Sequence, residues 1–211
     1  MAIVLKLQQD NSNLEDILET ALLTLRTGGL LIYPNDTVYG IGGDATNPDV
    51  VEKVLHAKKI KITAETGSRP VSVMFGDFSD IEKYCDFGLA EIPLMQKNLP
   101  GPYTFIMRMK TNVALPVATE GKLGVRMPDN PFCIALAQRF GKPIITTSAN
   151  ITKQKAPISF DEIDEEILNS KEVTLAIDGG KTKYGTPSQI VDLMTNEIKR
   201  EGTDKAIRVK L

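Results

Sequence analysis

The chain has 211 residues, of which 42% are hydrophobic and 25% are charged, and its formal net charge is −2. These ordinary values exclude disordered, collagen-like and coiled-coil proteins, and they favour one domain over residues 1–211, with two small domains as the alternative. No apolar run approaches the roughly 20 residues of a membrane-spanning helix and no signal peptide is recognisable, so we expect a cytoplasmic protein without a membrane partner.

The first half of the chain alternates strand and helix patterns. Residues 3–7 read as a short strand, and an S-x-x-E capping box at Ser12 begins a helix that Gly28 ends. The continuous apolar run at residues 30–34 predicts a strand buried on both faces. A glycine-rich loop follows, and Asn47 then caps a second helix whose first turn contains a proline.

The second half continues this alternation. Further strands are predicted at residues 70–75, 103–109, 123–127, 143–147, 173–178, 189–193 and 206–211, and helices near Ser79, near Gly88, from Asn130 to Gly141 and from Ser159. Interleaved strands and helices indicate an α/β domain with a largely parallel or mixed sheet. In such sheets ligands bind beyond the carboxyl ends of the strands, where the loops collect.

The cysteine and histidine content argues against two kinds of site. The chain has two cysteines, Cys85 and Cys133, without a CxxC spacing, and its one histidine is His56. A zinc site needs more ligands of these types, and a cysteine–histidine nucleophile system is equally poorly supported. We therefore expect two reduced, partly buried thiols and no metal site built by the protein itself.

Three polar clusters follow predicted strands, at residues 35–39, 146–150 and 178–188, and the first two are the candidate binding sites. The turn at residues 35–37 could stabilise itself through side chain–backbone bonds, or it could hold a small carboxylate. Residues 146–150 read Thr-Thr-Ser-Ala-Asn and expose several hydroxyls and an amide where a structural turn needs only one. That density favours a ligand site. Neither a P-loop nor a dinucleotide-binding glycine motif is present.

Two sets of cations are open to a structural and a functional interpretation. The lysines at positions 58, 59 and 61 follow a predicted helix, where they either form a solvated terminus or bind polyphosphate as point charges. Arg126 lies inside an apolar strand, and a buried arginine needs an anion or several carbonyls. A structural ion pair and a substrate carboxylate both satisfy that need.

Taken together, these motifs resemble the YrdC-like family, the threonylcarbamoyl-AMP synthases. The resemblance runs from Gly28 to about Gly202. It rests on Y-P-x-D-T-V-Y-G-I-G at 33–42, A-K at 57–58, L-P-G-P-Y-T at 99–104, G-V-R-M-P at 124–128, T-S-A-N at 147–150, D-G-G at 178–180, P-S-x-x-V-D at 187–192 and R-x-G at 200–202. It implies the YrdC-like (DHBP synthase-like) fold in a short single-domain form: a twisted mixed sheet, flanked by helices, around a large, positively lined central cavity.

The resemblance also implies an activity and its site. The expected enzyme is an L-threonylcarbamoyladenylate synthase, a nucleotidyltransferase that converts L-threonine, bicarbonate or CO2, and ATP to threonylcarbamoyl-AMP and pyrophosphate. A separate transferase would use this product to make threonylcarbamoyladenosine in tRNA. Mg²⁺ would accompany ATP rather than occupy a protein cage. Threonine would be held by Asn35, Thr37, Arg126, Thr146 and Ser188, and ATP would be faced by Lys58, Lys61, Ser148, Asn150 and Arg200, with Lys58, Ser148 and Asn150 as the catalytic group.

Two departures from the family pattern leave alternatives open. Asn35 stands where the family has a threonine, and Ile60 stands where it has an arginine, so that Lys61 or Arg69 would have to replace the missing cation. One alternative is a diverged paralogue that adenylates another small substrate. The other is a module that binds tRNA or double-stranded RNA in the same cavity, although the slightly acidic composition argues against strong RNA affinity.

Overall fold

The computed structural model describes residues 2–60, 71–110 and 115–202, and the strand predicted at 206–211 lies outside these ranges. The elements in chain order are β1 (Ile3–Lys6), α1 (Leu14–Arg26), β2 (Leu30–Tyr33), β3 (Gly40–Gly42), α2 (Pro48–Ala57), β4 (Ser72–Met74), α3 (Phe78–Tyr84), β5 (Cys85–Asp86), α4 (Ile92–Asn98), β6 (Tyr103–Met109), β7 (Lys122–Arg126), α5 (Pro131–Phe140), β8 (Ile144–Ser148), a 3-10 helix at Phe160–Glu162, α6 (Glu165–Leu168), β9 (Val173–Asp178), β10 (Gln189–Asp192) and β11 (Glu197–Arg200).

The strands form one mixed sheet in the order β1-β9-β2-β3-β8-β4-β7-β6-β10-β11, and β5 pairs with β6. The predicted mixed α/β fold is confirmed. However, six of the described strand pairs are antiparallel and four are parallel, so the sheet is not largely parallel. The connections at residues 34–39 and 193–196 explain part of the difference, because a parallel crossover needs about a dozen residues or more.

Side-chain caps fix where some of the helices begin. Asn47 Oδ1 accepts a hydrogen bond from the Asp49 amide at 3.0 Å, and Asn130 caps α5 in the same way at 3.1 Å. The capping box predicted at Ser12 does not form. Asn13 occupies the cap position of α1 without capping it, since its side chain bonds to the backbone of the preceding loop instead.

The sheet is covered on both faces, and β2 shows this most directly. Leu30 and Ile32 belong to the core cluster that includes the buried side of α2, whereas Leu31 and Tyr33 belong to the cluster that includes α1 and α5. Successive strand residues point to opposite faces, so a strand buried on both must be apolar throughout. The burial predicted from the continuous apolar run is therefore confirmed.

The short strand β3 brings together the two candidate clusters of the sequence, residues 35–39 and 146–150. It pairs antiparallel with both β2 and β8, which places the turn at residues 34–39 beside the carboxyl end of β8. A Cβ atom on Gly42 would lie 1.7 Å from the carbonyl oxygen of Ile145, so only glycine permits this approach.

Both cysteines are free and buried, Cys85 in β5 and Cys133 in α5. Burial raises the pKa of the Cys85 thiol to about 12 and that of Cys133 well above its usual range. Across the described ranges, no helix combines the length and the apolar character needed to cross a membrane.

Candidate functional site

A cavity of about 170 Å³ lies where the turn after β2 meets the carboxyl ends of β7 and β8. Residues just before β10 and at the end of β11 complete its wall. Seven of the candidate residues line it: Asn35, Thr37, Arg126, Thr146, Ser148, Ser188 and Arg200. The structure thus gathers side chains that are up to 165 positions apart in the chain, as from Asn35 to Arg200, into one space.

Arg126 forms the structural ion pair that its sequence context allowed, and it also reaches the cavity. Its Nη2 donates to Asp36 Oδ1 at 2.6 Å and its Nη1 to Thr37 Oγ1 at 3.1 Å, and both members of the ion pair are buried. The other carboxylate oxygen of Asp36 accepts from the Asp129 amide at 3.1 Å. Arg126 also lines the cavity, and its buried Nε has no partner among the described residues. These contacts hold the guanidinium in place and use two of its five N–H groups, so N–H groups remain for a ligand.

A second arginine, Arg200, also lines the cavity. Arg200 donates from Nε to the Ser188 carbonyl at 2.9 Å and from Nη2 to Ser188 Oγ at 3.0 Å. Burial and the charge of Arg126 lower the pKa of the Arg200 guanidinium. No aspartate or glutamate belongs to the lining formed by the described residues. The cavity is therefore positively charged and suited to an anion.

Asn35 presents a donor toward Thr146. Its Oδ1 accepts from the Asp36 amide at 2.7 Å, which fixes the orientation of the side-chain amide because only the oxygen can accept. Its Nδ2 then faces Thr146 Oγ1 at 3.4 Å, the upper end of hydrogen-bond distances. The side chain that replaces the expected threonine hydroxyl is thus a buried donor at the cavity wall.

Lys58 and Asn150 lie behind the cavity rather than in its lining. Lys58 Nζ donates to the backbone carbonyls of Ser148 and Asn150, the latter at 2.8 Å. Burial lowers the pKa of Lys58 to about 8. The Asn150 side chain donates to the carbonyls of Ile151 and Gln154 at 2.9 and 2.7 Å, and its Oδ1 has no partner in the part of the chain that is described. Both side chains shape the strand end that presents Ser148. Lys61 and Arg69 lie outside the described residues.

Two residues of the site were missed by the sequence reasoning. Thr104 lines the cavity and its hydroxyl lies 2.7 Å from Ser188 Oγ. Tyr39 also lines it, and its phenol oxygen accepts from the Gly179 amide at 3.0 Å and donates to the Gly180 carbonyl at 2.8 Å. Both belong to quoted motifs, but Thr104 lies in a predicted strand, where a threonine is expected to pack against its neighbours, and a single tyrosine in a loop carries no binding signal by its residue type.

The described residues contain no group of three or more histidine, cysteine, aspartate or glutamate side chains that could hold a metal ion. The donors around the cavity are guanidinium groups, hydroxyls and amides. These groups bind anionic oxygen, whereas magnesium prefers carboxylate, carbonyl and phosphate oxygens.

Comparison with known proteins places the chain in a family. The model of the Sua5/YciO/YrdC family, described as "Telomere recombination", matches residues 23–202. The chain belongs to the Sua5/YciO/YrdC family. The membership expected from the motifs is thereby confirmed, and so is the YrdC-like fold.

Relatives within the Sua5/YciO/YrdC family agree over most of the chain. A protein of Methanocaldococcus jannaschii named putative threonylcarbamoyl-AMP synthase is 35% identical over 86% of this chain and 83% of its own length. The threonylcarbamoyl-AMP synthase of Vibrio campbellii is 29% identical over 87% and 98%. E. coli YciO superposes with a TM-score of 0.83 at 27% identity, over 96% of this chain and 97% of that one.

P. abyssi Sua5 in complex with L-threonine superposes with a TM-score of 0.81 at 25% identity. The match covers 96% of this chain but only 57% of P. abyssi Sua5. This chain therefore spans little more than half the length of that member of the Sua5/YciO/YrdC family.

Proposed function

We propose that this Sua5/YciO/YrdC protein is an L-threonylcarbamoyladenylate synthase, which makes threonylcarbamoyl-AMP and pyrophosphate from L-threonine, bicarbonate or CO2, and ATP. Two lines of support converge. The relatives named threonylcarbamoyl-AMP synthase match 86% and 87% of the chain, and the solved P. abyssi Sua5 of similar fold contains L-threonine. The product would pass to a separate tRNA threonylcarbamoyltransferase in the cytoplasm.

The observation that carries this proposal is the charge of the cavity. Two arginines and several hydroxyls line it, and the described lining holds no carboxylate. In the reaction, the neutral amine of threonine adds to CO2, and the nitrogen releases one proton to water to give a carbamate. A carbamate oxygen then attacks the α-phosphate of ATP, and the bond from the α-phosphate to the bridging oxygen breaks as pyrophosphate leaves. ATP, the carbamate, the adenylate product and pyrophosphate are all anionic, so positioning and charge neutralisation are the main demands on the protein.

The candidate residues divide between the two substrates. Asn35, Thr37, Arg126, Thr146 and Ser188 line the part of the cavity proposed for threonine. Arg200 and Ser148 line the part proposed for ATP, where Mg²⁺ arrives bound to the phosphates. Lys58 contributes by holding the Ser148 carbonyl and by adding positive charge behind it, and Asn150 contributes by holding the loop that follows, through the Ile151 and Gln154 carbonyls.

The test is an assay of pyrophosphate release with ATP, bicarbonate and one amino acid at a time. Release that requires both threonine and bicarbonate is expected. The variant Arg126→Lys should lose this activity, because lysine cannot reproduce the forked contacts to Asp36 and Thr37. The matched control is Arg139→Lys, on an exposed arginine paired with Glu15 outside the cavity, and it should keep full activity.

Other outcomes of this assay identify the alternatives. Release with another amino acid would contradict threonine as the substrate and indicate the diverged paralogue. Absence of release with every amino acid, together with salt-sensitive binding of tRNA, would contradict the enzyme and indicate the RNA-binding module.

A further inference from the structure

One wall of the cavity is a row of hydrogen-bond donors on neighbouring strands. Strands β7, β6, β10 and β11 lie side by side in the sheet. The donors are Arg126 on β7, Thr104 on β6, Ser188 just before β10 and Arg200 at the end of β11. Phe105 and Val125 are partners in the antiparallel β6–β7 ladder. Thr104 precedes Phe105 and Arg126 follows Val125, so Thr104 and Arg126 lie opposite each other at the next position. Thr104 and Arg126 are therefore cross-strand neighbours on the cavity face.

The hydroxyl protons in this row follow from the chemistry of the partners. Arg200 has only donors, so Ser188 Oγ accepts from its Nη2. One proton joins Ser188 Oγ to Thr104 Oγ1, which lie 2.7 Å apart. Either hydroxyl can donate in this contact, and the cation favours Ser188 as the donor because it polarises the Ser188 O–H. The proton of Thr104 then has no partner among the described residues and is left for the cavity.

The surroundings of Thr104 indicate what this proton meets. Its side chain is buried at 2% exposure, so an unused hydroxyl there costs free energy unless a ligand accepts from it. The buried Nε of Arg126, on the neighbouring strand β7, also lacks a hydrogen-bond acceptor among the described residues. Within the donor row, the only side-chain acceptors are the lone pairs of the two hydroxyls, and an arginine lies at each end of the row. A carboxylate satisfies several of these donors at once.

We propose that Thr104 is a substrate-binding residue whose hydroxyl donates to a carboxylate oxygen of the amino-acid substrate, between Arg126 and Arg200. This role rests on the proposed function, because it takes threonine as the ligand of the cavity. Ser188 and Arg200 act on the same oxygen through Thr104, since the chain of hydrogen bonds from the arginine strengthens the threonine donor.

The experiment compares the isosteric variant Thr104→Val, which lacks the hydroxyl, with Thr104→Ser, which keeps it. Kinetics of pyrophosphate release give kcat and the KM of each substrate, and the melting temperature gives stability. We expect Thr104→Val to raise the KM for threonine about ten-fold or more and to leave the KM for ATP within about two-fold. Thr104→Ser should restore the KM for threonine to within about three-fold of the wild-type value.

The matched control is Thr24→Val, at a buried threonine in α1 whose hydroxyl donates to the Thr20 carbonyl at 2.9 Å and has no other partner among the described residues. It should leave every kinetic constant unchanged. Thr104→Ala provides the same comparison if Thr104→Val does not fold.

Two results would overturn the role of Thr104 while leaving the proposed function intact: an unchanged KM for threonine in an active Thr104→Val, or a rise confined to the KM for ATP, which would make the ligand a phosphate. Wild-type protein that releases no pyrophosphate with threonine and bicarbonate would overturn the proposed function, and the role of Thr104 with it.

Discussion

Removal of the buried ion pair between Asp36 and Arg126 should change the free energy of unfolding by an amount that the structure allows us to estimate. The substitution Asp36→Asn keeps the shape of the side chain and removes its charge. Asp36 is fully buried and Arg126 is 6% exposed, so the guanidinium cannot reach water to recover its hydration. The amide also places a donor against one of the two groups that now donate to the carboxylate, Arg126 Nη2 at 2.6 Å and the Asp129 amide at 3.1 Å.

The expected loss follows from the cost of an unpaired buried charge. Removing one partner of a buried pair typically lowers the free energy of unfolding by about 3–5 kcal/mol, which is a large part of the roughly 5–15 kcal/mol that stabilises a domain. Urea denaturation followed by circular dichroism measures this loss, with the slope of the transition expected to stay constant.

The matched control is Glu15→Gln, which removes the charge from an exposed, bidentate pair with Arg139 at 2.7 Å. Because both side chains of that pair are solvated, its denaturation midpoint should hardly move. An Asp36→Asn midpoint that moved as little as that of Glu15→Gln would refute the reasoning, since Arg126 would then be neither desolvated nor dependent on Asp36.

Three further predictions concern the strand end and its neighbours. Ser148→Ala should lower kcat/KM about ten-fold or more in the pyrophosphate assay. Its melting temperature should not change, because no described hydrogen bond uses the Ser148 hydroxyl. Full activity of the variant would show that Ser148 is not part of the site. Burial lowers the pKa of Lys58 to about 8 from 10.5, so between these values the unfolded chain binds the proton that the folded chain has lost. Stability should therefore rise with pH across this window in wild-type protein and rise less in Lys58→Met, and equal pH slopes in denaturation curves would contradict the shift. Gly42→Ala should lower the free energy of unfolding by at least about 1–3 kcal/mol, as overpacking does, because its Cβ meets the Ile145 carbonyl; a neutral effect on the denaturation midpoint would show that β3 is not pressed against β8.

The sequence predicted those parts of the fold that depend on local signals. The caps at Asn47 and Asn130 and the two-sided burial of β2 need only near neighbours, and all three are present. The capping box at Ser12 failed because Asn13 occupies the cap position, and its side chain bonds to the backbone of Lys6 and Gln8, which the capping-box pattern does not include. Strand β3 was read as a loop, since Gly40-Ile41-Gly42 is too short and too rich in glycine to show a strand period.

The sequence predicted those site residues that belong to the quoted motifs and lie at the ends of neighbouring strands. Seven candidates meet in one cavity for that reason. The positions of Lys58 and Asn150 behind the cavity depend on which backbone carbonyls lie nearby, and that is tertiary information. The sequence also left the direction of strand pairing open. Because β6 and β7 pair antiparallel, Thr104 lies beside Arg126.

The most direct test of the account is to identify the product. Incubation of the protein with ATP, threonine and isotope-labelled bicarbonate, followed by mass spectrometry, should yield threonylcarbamoyl-AMP that carries the label in its carbamoyl carbon, with one pyrophosphate released per adenylate. An unlabelled adenylate of threonine, in which the amino acid's own carboxylate has reacted, would contradict the account, as would ATP that remains intact.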